Sequence, residues 1–205
     1  MAISKIVQRN IVQLYKNGFS MMQIAQKLHL SISIVRYWLD KKKIKRRSIS
    51  EAITNLYITK FHKQPFRLKK NLSKNDQELK IAGIMLYWGE GSKTGNAIKF
   101  TNSDPKMIKL FVNFLRKICG ISNNRLKALI HIYPDHNNIK LQKFWSEIIK
   151  IPLNQFYKSH IHKGEIGTYK YKSQYGTVAI NYADKKLFEI LLLWIEQYQE
   201  KLSKI

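Results

Sequence analysis

The apolar run from Ile81 to Trp88 ends in Gly89, Glu90 and Gly91, which puts one carboxylate where local physics disfavours it. The last turn of a helix already presents unpaired carbonyls and the negative end of the macrodipole, so an acid there costs about 0.3–1 kcal/mol unless a positive group neutralises it. A bound divalent cation such as Mg2+ would do so. Glu90 is therefore a candidate ligand for a divalent cation. Imidazoles form a second set: His131 and His136 with Asp135, and the pair His160 and His162. Residues two apart on a strand share a face. No His-Asn-His framework stands at nuclease spacing, however, and the single Cys119 provides no pair for zinc. These histidines are expected on a basic, DNA-facing strand beside Lys158, Lys163, Lys170 and Lys172, interleaved with Tyr157, Tyr169 and Tyr171.

Composition agrees with an anionic partner. Thirty-seven Lys and Arg against thirteen Asp and Glu give +24 over 205 residues, an excess that points to a polyanion and not to any particular fold. An AT-rich coding sequence would explain abundant Lys, Ile and Asn but not the scarcity of acids. The chain is long enough for one ordinary domain and a small one, and 44% hydrophobic residues suffice for real cores. Cys119 rules out a disulfide framework and reads as a buried apolar residue in a reducing, cytoplasmic compartment. The longest unbroken apolar stretch, Ile190 to Ile195, is far shorter than the roughly 18 residues that span a bilayer, so no membrane partner is expected.

Residues 1–50 read as three helices. Ile6, Val7, Ile11, Val12, Leu14 and Tyr15 follow a helical period that Asn17 and Gly18 close. Ser20 with Gln23 makes a capping box for Met21 to Leu28, and Ser31 caps a third helix whose inner face is Ile34, Val35, Trp38 and Leu39. Ile32, Ser33, Arg36, Tyr37, Asp40 and Lys41 then point outward. These fifty residues hold eleven Lys or Arg and one acid, with Lys41, Lys42, Lys43, Lys45, Arg46 and Arg47 directly after the third helix. The pattern Gly-Phe-Ser-x-x-Gln-Ile-Ala-x-x-Leu-x-Leu-Ser-x-Ser-x-Val-x-x-Trp-Leu resembles the helix-turn-helix of resolvase-like and homing-endonuclease-associated proteins. The resemblance implies that Ser31, Ile32, Ser33, Arg36 and Tyr37 read base edges, with Arg36 suited to a paired contact to guanine, while the basic run follows phosphates.

Residues 51–72, with a weak helical patch at Ala52 to Tyr57, read as a basic, semi-ordered linker. In residues 73–205, Ser73 and Asp76 start a helix that runs to Glu90. Strands are expected at Ala97 to Thr101, Leu126 to Tyr133, Gln155 to His162 and Gly176 to Tyr182, with helices at Lys106 to Cys119, Leu141 to Ile149 and Lys185 to Leu202. The expected class is α+β: a three-helix domain followed by an α/β domain with a mostly antiparallel sheet.

A helix of small and apolar residues ending in Gly89, Glu90 and Gly91, followed by this order of strands and helices, resembles the LAGLIDADG homing-endonuclease family over residues 73 to 203. The resemblance implies that Glu90 holds a divalent metal at a scissile phosphate. It also implies that Ala82, Gly83, Leu86 and Gly89 meet a second copy along a dyad, giving a homodimer on double-stranded DNA. Lys93, Lys99 and Lys172 become candidate phosphate or water contacts, with Lys158 and Lys170 on the same DNA-facing surface. Met85 and Trp88 depart from the motif. Only Ser92 to Asn96 separates it from the first strand, where the family has a fuller hairpin, and a helix near Trp145 is additional. Such departures also fit a catalytically silent transcription regulator on the same scaffold.

Overall fold

The structure, a computed structural model, describes residues 3–61, 64–163 and 173–204. The chain is α+β, with eight α-helices and a four-stranded mixed sheet among the described residues, and it divides into two compact units at residues 63 and 64. No helix among those residues is long and apolar enough to cross a membrane.

The first unit packs α1 (Lys5–Lys16), α2 (Met21–Leu28) and α3 (Ile32–Lys41) around Ile11, Tyr15, Ile24, Ala25, Val35 and Leu39. Each helix starts at a serine whose hydroxyl accepts a backbone N–H, Ser4 from Val7, Ser20 from Gln23 and Ser31 from Ile34. Such caps are worth about 1 kcal/mol each. Residues 51–72, expected to be a linker, divide between the units instead. α4 (Ile49–Phe61) is opened by a capping box, with Ser48 N–H donating to Glu51 and the Glu51 N–H donating back to Ser48 Oγ. Asn55 on α4 donates to the Gly18 carbonyl, which holds the helix to the first unit.

Residues 64–72 belong to the second unit. Arg67 N–H donates to Gly120 O at 3.0 Å, Lys69 N–H to Ile118 O at 2.9 Å, and the Tyr182 hydroxyl to Pro65 O. The chains cross so closely that a Cβ on Gly120, whose φ is +59°, would lie 2.1 Å from the Arg67 carbonyl oxygen, so this crossing requires glycine.

The second unit then runs α5 (Lys74–Glu90), β1 (Ile98–Asn102), α6 (Pro105–Lys117), β2 (Leu126–Ile132), α7 (Asn138–Ile149), β3 (His160–Ile161), β4 (Thr177–Tyr182) and α8 (Lys185–Leu202). The strand order is β1-β4-β2-β3. β4 is antiparallel to both β1 and β2, and β3 is parallel to β2. Strict alternation on β1 and β2 sends Ile98, Phe100, Leu126, Ala128, Ile130 and Ile132 into a core shared with Ile108, Phe111, Phe114, Leu115 and Trp145. Cys119 lies in that core as expected, and burial pushes its thiol pKa up. The strand expected over Gln155 to His162 shrinks to two residues. A 3-10 turn at Leu153–Gln155 follows Pro152, and Phe156 meets β2 only through a single bridge to Ala128.

α5 begins with a third capping box, Ser73 and Asp76. The Lys69 ammonium at 2.6 Å, and after it the hydroxyl and N–H of Ser73, hold the Asp76 carboxyl down at about 2, against an ordinary 3.8. Between those values the unfolded chain binds more protons than the folded one, so this stabilisation is complete above about pH 4 and is lost as the pH falls towards 2. Asp76→Asn is expected to flatten the acid limb of stability against pH, read from urea midpoints at a series of pH values. An unchanged limb would refute the assignment.

Candidate nucleic-acid interface

α3 buries Val35 and Leu39 and leaves Ser31, Ile32, Ser33, Arg36, Tyr37, Asp40 and Lys41 in solvent. The helix is held from below by an apolar stripe and from its start by the Ser31 cap, so its outer face is rigid. Among the described residues no hydrogen bond or ion pair engages the Arg36 guanidinium. Lys41 lies over the Tyr37 and Trp38 rings at 5.4 and 4.9 Å and donates to the Tyr37 hydroxyl at 3.1 Å.

The basic run that follows does not act as one arm. Lys42, Lys43 and Lys45 are exposed, and Arg46 pairs with Asp40 at 3.0 Å, a surface bridge of small worth that a phosphate could displace. Arg47, expected among the phosphate contacts, is instead a structural residue. Its guanidinium sits 4.1 Å from the Tyr15 ring centroid and donates to the carbonyls of Tyr15 and Phe19, while its N–H donates to the Tyr15 hydroxyl at 2.7 Å. Those bonds satisfy the Tyr15 carbonyl at the end of α1 and the Phe19 carbonyl just beyond it, and occupy two of the five guanidinium N–H donors.

In the second unit one sheet face covers the core, and the other carries the alternate residues, of which Lys99 and Thr101 are exposed, Lys127, Leu129 and His131 half-buried and Ala179 buried. Register across this second face places Lys99, Asn181 and Lys127 in one row, Thr101, Ala179 and Leu129 in the next, and Thr177, His131 and His160 in the third. Lys99 thus stands where expected, on an outward position. Lys127 was not singled out from the sequence, although its alternation with Leu126 and Ala128 would have marked it. Lys93 and Lys158 are exposed, whereas Lys170 and Lys172, with Tyr169 and Tyr171, lie outside the described residues.

No family model, curated protein or solved structure matches this chain.

Glu90 is exposed at the end of α5, whose last turn carries no basic residue, and among the described residues no salt bridge or hydrogen bond engages its carboxylate. The chain turns immediately afterwards. The buried Tyr87 hydroxyl, its pKa raised to about 12 by burial, donates to Ser92 O at 2.6 Å, and Ser92 N–H donates to Lys99 O at 2.9 Å. The hairpin after Glu90 therefore amounts to one bridge, Gly91 to Phe100, and a short turn.

α5 is apolar on two sides. Gly83, Ile84 and Tyr87 face the core, while Ala82, Met85, Leu86 and Gly89 line an open groove of about 550 Å³ with Met107 and Leu110 of α6, ended by Glu90 and Lys106. Gly83, expected on the dyad, is on the wrong side for it: a Cβ there would lie 2.1 Å from the Phe114 ring of the same chain. Its small size serves α5–α6 packing and not contact with a second copy. Gly89, by contrast, has open space around it.

The histidines regroup. His131 and His160 are register partners, and His131, His160 and His162 bring one nitrogen each to within 4.8 Å of one another. Burial, followed by the charges of His160 and His162, lowers the pKa of His131. His136 stands apart, with its Nδ1 accepting the Tyr133 N–H at 3.2 Å.

Proposed function

We propose that the chain is a sequence-specific double-stranded DNA-binding protein whose first unit is a helix-turn-helix, and that two copies of the second unit form a Mg2+-dependent endonuclease around Glu90. The observation that carries the reading is the exposed face of α3, where Arg36 is free above a closed apolar core in a chain of net charge +24. Arg36 can offer both guanidinium nitrogens to guanine O6 and N7, a pairing that discriminates by about 1–3 kcal/mol. Lys42, Lys43 and Lys45 lie next to that helix and supply attraction to phosphate that carries no sequence information.

For the second unit, support comes from the bare carboxylate of Glu90 at the negative end of α5 and from the apolar groove beside it. Mg2+ is held through one or two carboxylates, waters and substrate phosphates, so a single exposed acid is a sufficient protein donor once DNA is present. When bound, such an ion stabilises charge on the attacking and leaving oxygens of phosphodiester hydrolysis. Glu90 would orient it, while Lys93 and Lys99 on the adjoining hairpin would hold the phosphate. Ala82, Leu86 and Gly89 would meet their counterparts in a second copy, removing apolar surface from water. The reduction of the hairpin after Glu90 to one bridge favours a second reading, a regulator that holds DNA without cutting it.

One experiment separates these readings. The full chain, its Glu90→Gln variant and its Arg36→Ala variant are incubated with a duplex library and Mg2+, scoring both binding and cleavage. The nuclease reading expects double-strand cuts from the wild type that vanish in Glu90→Gln while its binding remains. Binding without cuts leaves the regulator. Arg36→Ala is expected to lose discrimination at one base position by about 1–3 kcal/mol. A uniform loss over all sequences would refute the recognition-helix assignment.

A further inference from the structure

We propose that His131, His160 and His162 form a binding site for one divalent transition-metal ion, with Zn2+ the natural occupant, at the β2–β3 edge of the sheet. His131 on β2 and His160 on β3 are direct partners in the parallel register, and His162 follows two residues after His160, on the same side of the chain. The ring centroids lie 5.3 Å (His131 to His160), 5.7 Å (His131 to His162) and 4.9 Å (His160 to His162) apart, and the nitrogens that could coordinate lie within 4.8 Å of one another. A tetrahedral zinc with Zn–N bonds of about 2.0–2.1 Å holds its nitrogens roughly 3.3 Å apart. Closing that gap needs rotation of exposed and half-buried rings and no change of register.

Two features of the surroundings favour an ion over chance proximity. Among the described residues no hydrogen bond engages any of the three rings, so their nitrogens are available, and the Tyr133 ring packs beside His162 at 5.4 Å. The backbone beneath is also fixed. His162 N–H donates to Ile132 O at 2.9 Å, and Gly176 sits so close to the His131 carbonyl that a Cβ would come within 2.7 Å of it.

The donor set also identifies the ion. Three imidazoles suit Zn2+, Ni2+ or Cu2+, whereas Mg2+ and Ca2+ require oxygen donors, so this site is chemically distinct from Glu90 and does not depend on cleavage at that residue. Three protein ligands leave a fourth position for water or for a group on a partner, and the site opens on the same sheet face as Lys99 and Lys127. An ion there would tie the two-residue strand β3 to β2 through side chains as well as backbone.

The full chain, freed of metal by a chelator, would be titrated with Co2+, whose visible absorption reports tetrahedral nitrogen ligation, and then with Zn2+ in competition. One equivalent of Co2+ per chain, an intense visible band and its displacement by Zn2+ are expected. His160→Ala and His162→Ala should each weaken binding by more than about tenfold, the loss typical even of groups that merely support a ligand. Their combination should abolish the band. His29→Asn, at a left-handed helix C-cap in the first unit, should change nothing. Because His160 is exposed, its substitution tests ligation without threatening the fold. Absence of the band in the wild type, or a band that survives the double substitution, would overturn the proposal.

Discussion

Trp145→Ala is expected to destabilise the second unit by about 3–5 kcal/mol, the range for an aromatic side chain removed from a packed core. Among the described residues Trp145 is the largest fully buried side chain, with no exposure at all. Its removal forfeits the transfer free energy of the indole and leaves a cavity that the surrounding Ile149, Leu141 and strand residues can fill only in part. A polar loss adds to this. The indole N–H donates to Tyr175 O at 2.8 Å, and Tyr175 in turn stacks on Phe144 with centroids 4.3 Å apart, so the indole anchors the chain where it enters β4. Trp145→Phe keeps most of the volume but loses the donor together with the second ring, and about 1–3 kcal/mol is expected from it. Urea unfolding followed by circular dichroism measures both. Equal losses for the two variants would show that the hydrogen bond and not the cavity dominates.

Gly83→Ala should destabilise the same unit by about 1–2 kcal/mol even though alanine is the better helix former. Propensity alone would favour the variant by about 1 kcal/mol. The new methyl carbon, however, would lie 2.1 Å from Phe114 Cγ and within 2.6 Å of both ring carbons beside it, a contact that forces α5 and α6 apart through the centre of the core. Overpacking of this kind costs about 1–3 kcal/mol or more, because Phe111, Phe114 and Tyr87 interlock and cannot yield separately. The decisive measurement is a double-mutant cycle. Phe114→Leu should relieve part of the cost of Gly83→Ala, giving a favourable coupling, whereas strict additivity or a stabilised single variant would refute the packing role.

These two residues also show how far the amino-acid order could be read. α5, α6, α7, α8, β1, β2 and β4 lie within a few residues of where caps and periodicity place them, because Ser73 with Asp76, Asp104 before Pro105, and Asp184 act within one turn of the chain. α4 reads only as a weak helical patch at Ala52 to Tyr57 despite the same kind of signal: its starting box, Ser48 and Glu51, is in the sequence, but its apolar residues are not gathered on one face. Arg47 read as one more cation in a basic run. Its role is visible only where the carbonyls of Tyr15 and Phe19, some thirty positions earlier, fall within its reach.

What the sequence determines by itself is local and summed: the caps, the helical and strand periods, the outward face of α3, the isolated carboxylate of Glu90 and the excess of positive charge. Each depends on neighbours within about four positions or on composition alone. The tertiary structure decided the rest. It turned Gly83 inward onto Phe114, left Ala82, Leu86 and Gly89 around an open groove, and paired β2 with β3 in parallel. That pairing joins His131 to His160 and His162 and leaves His136 aside. Spacing along a strand shows which residues share its face, but not which strand lies beside it. Strand partners are chosen by burial over the whole core, and two histidines twenty-nine positions apart carry no mark of that choice.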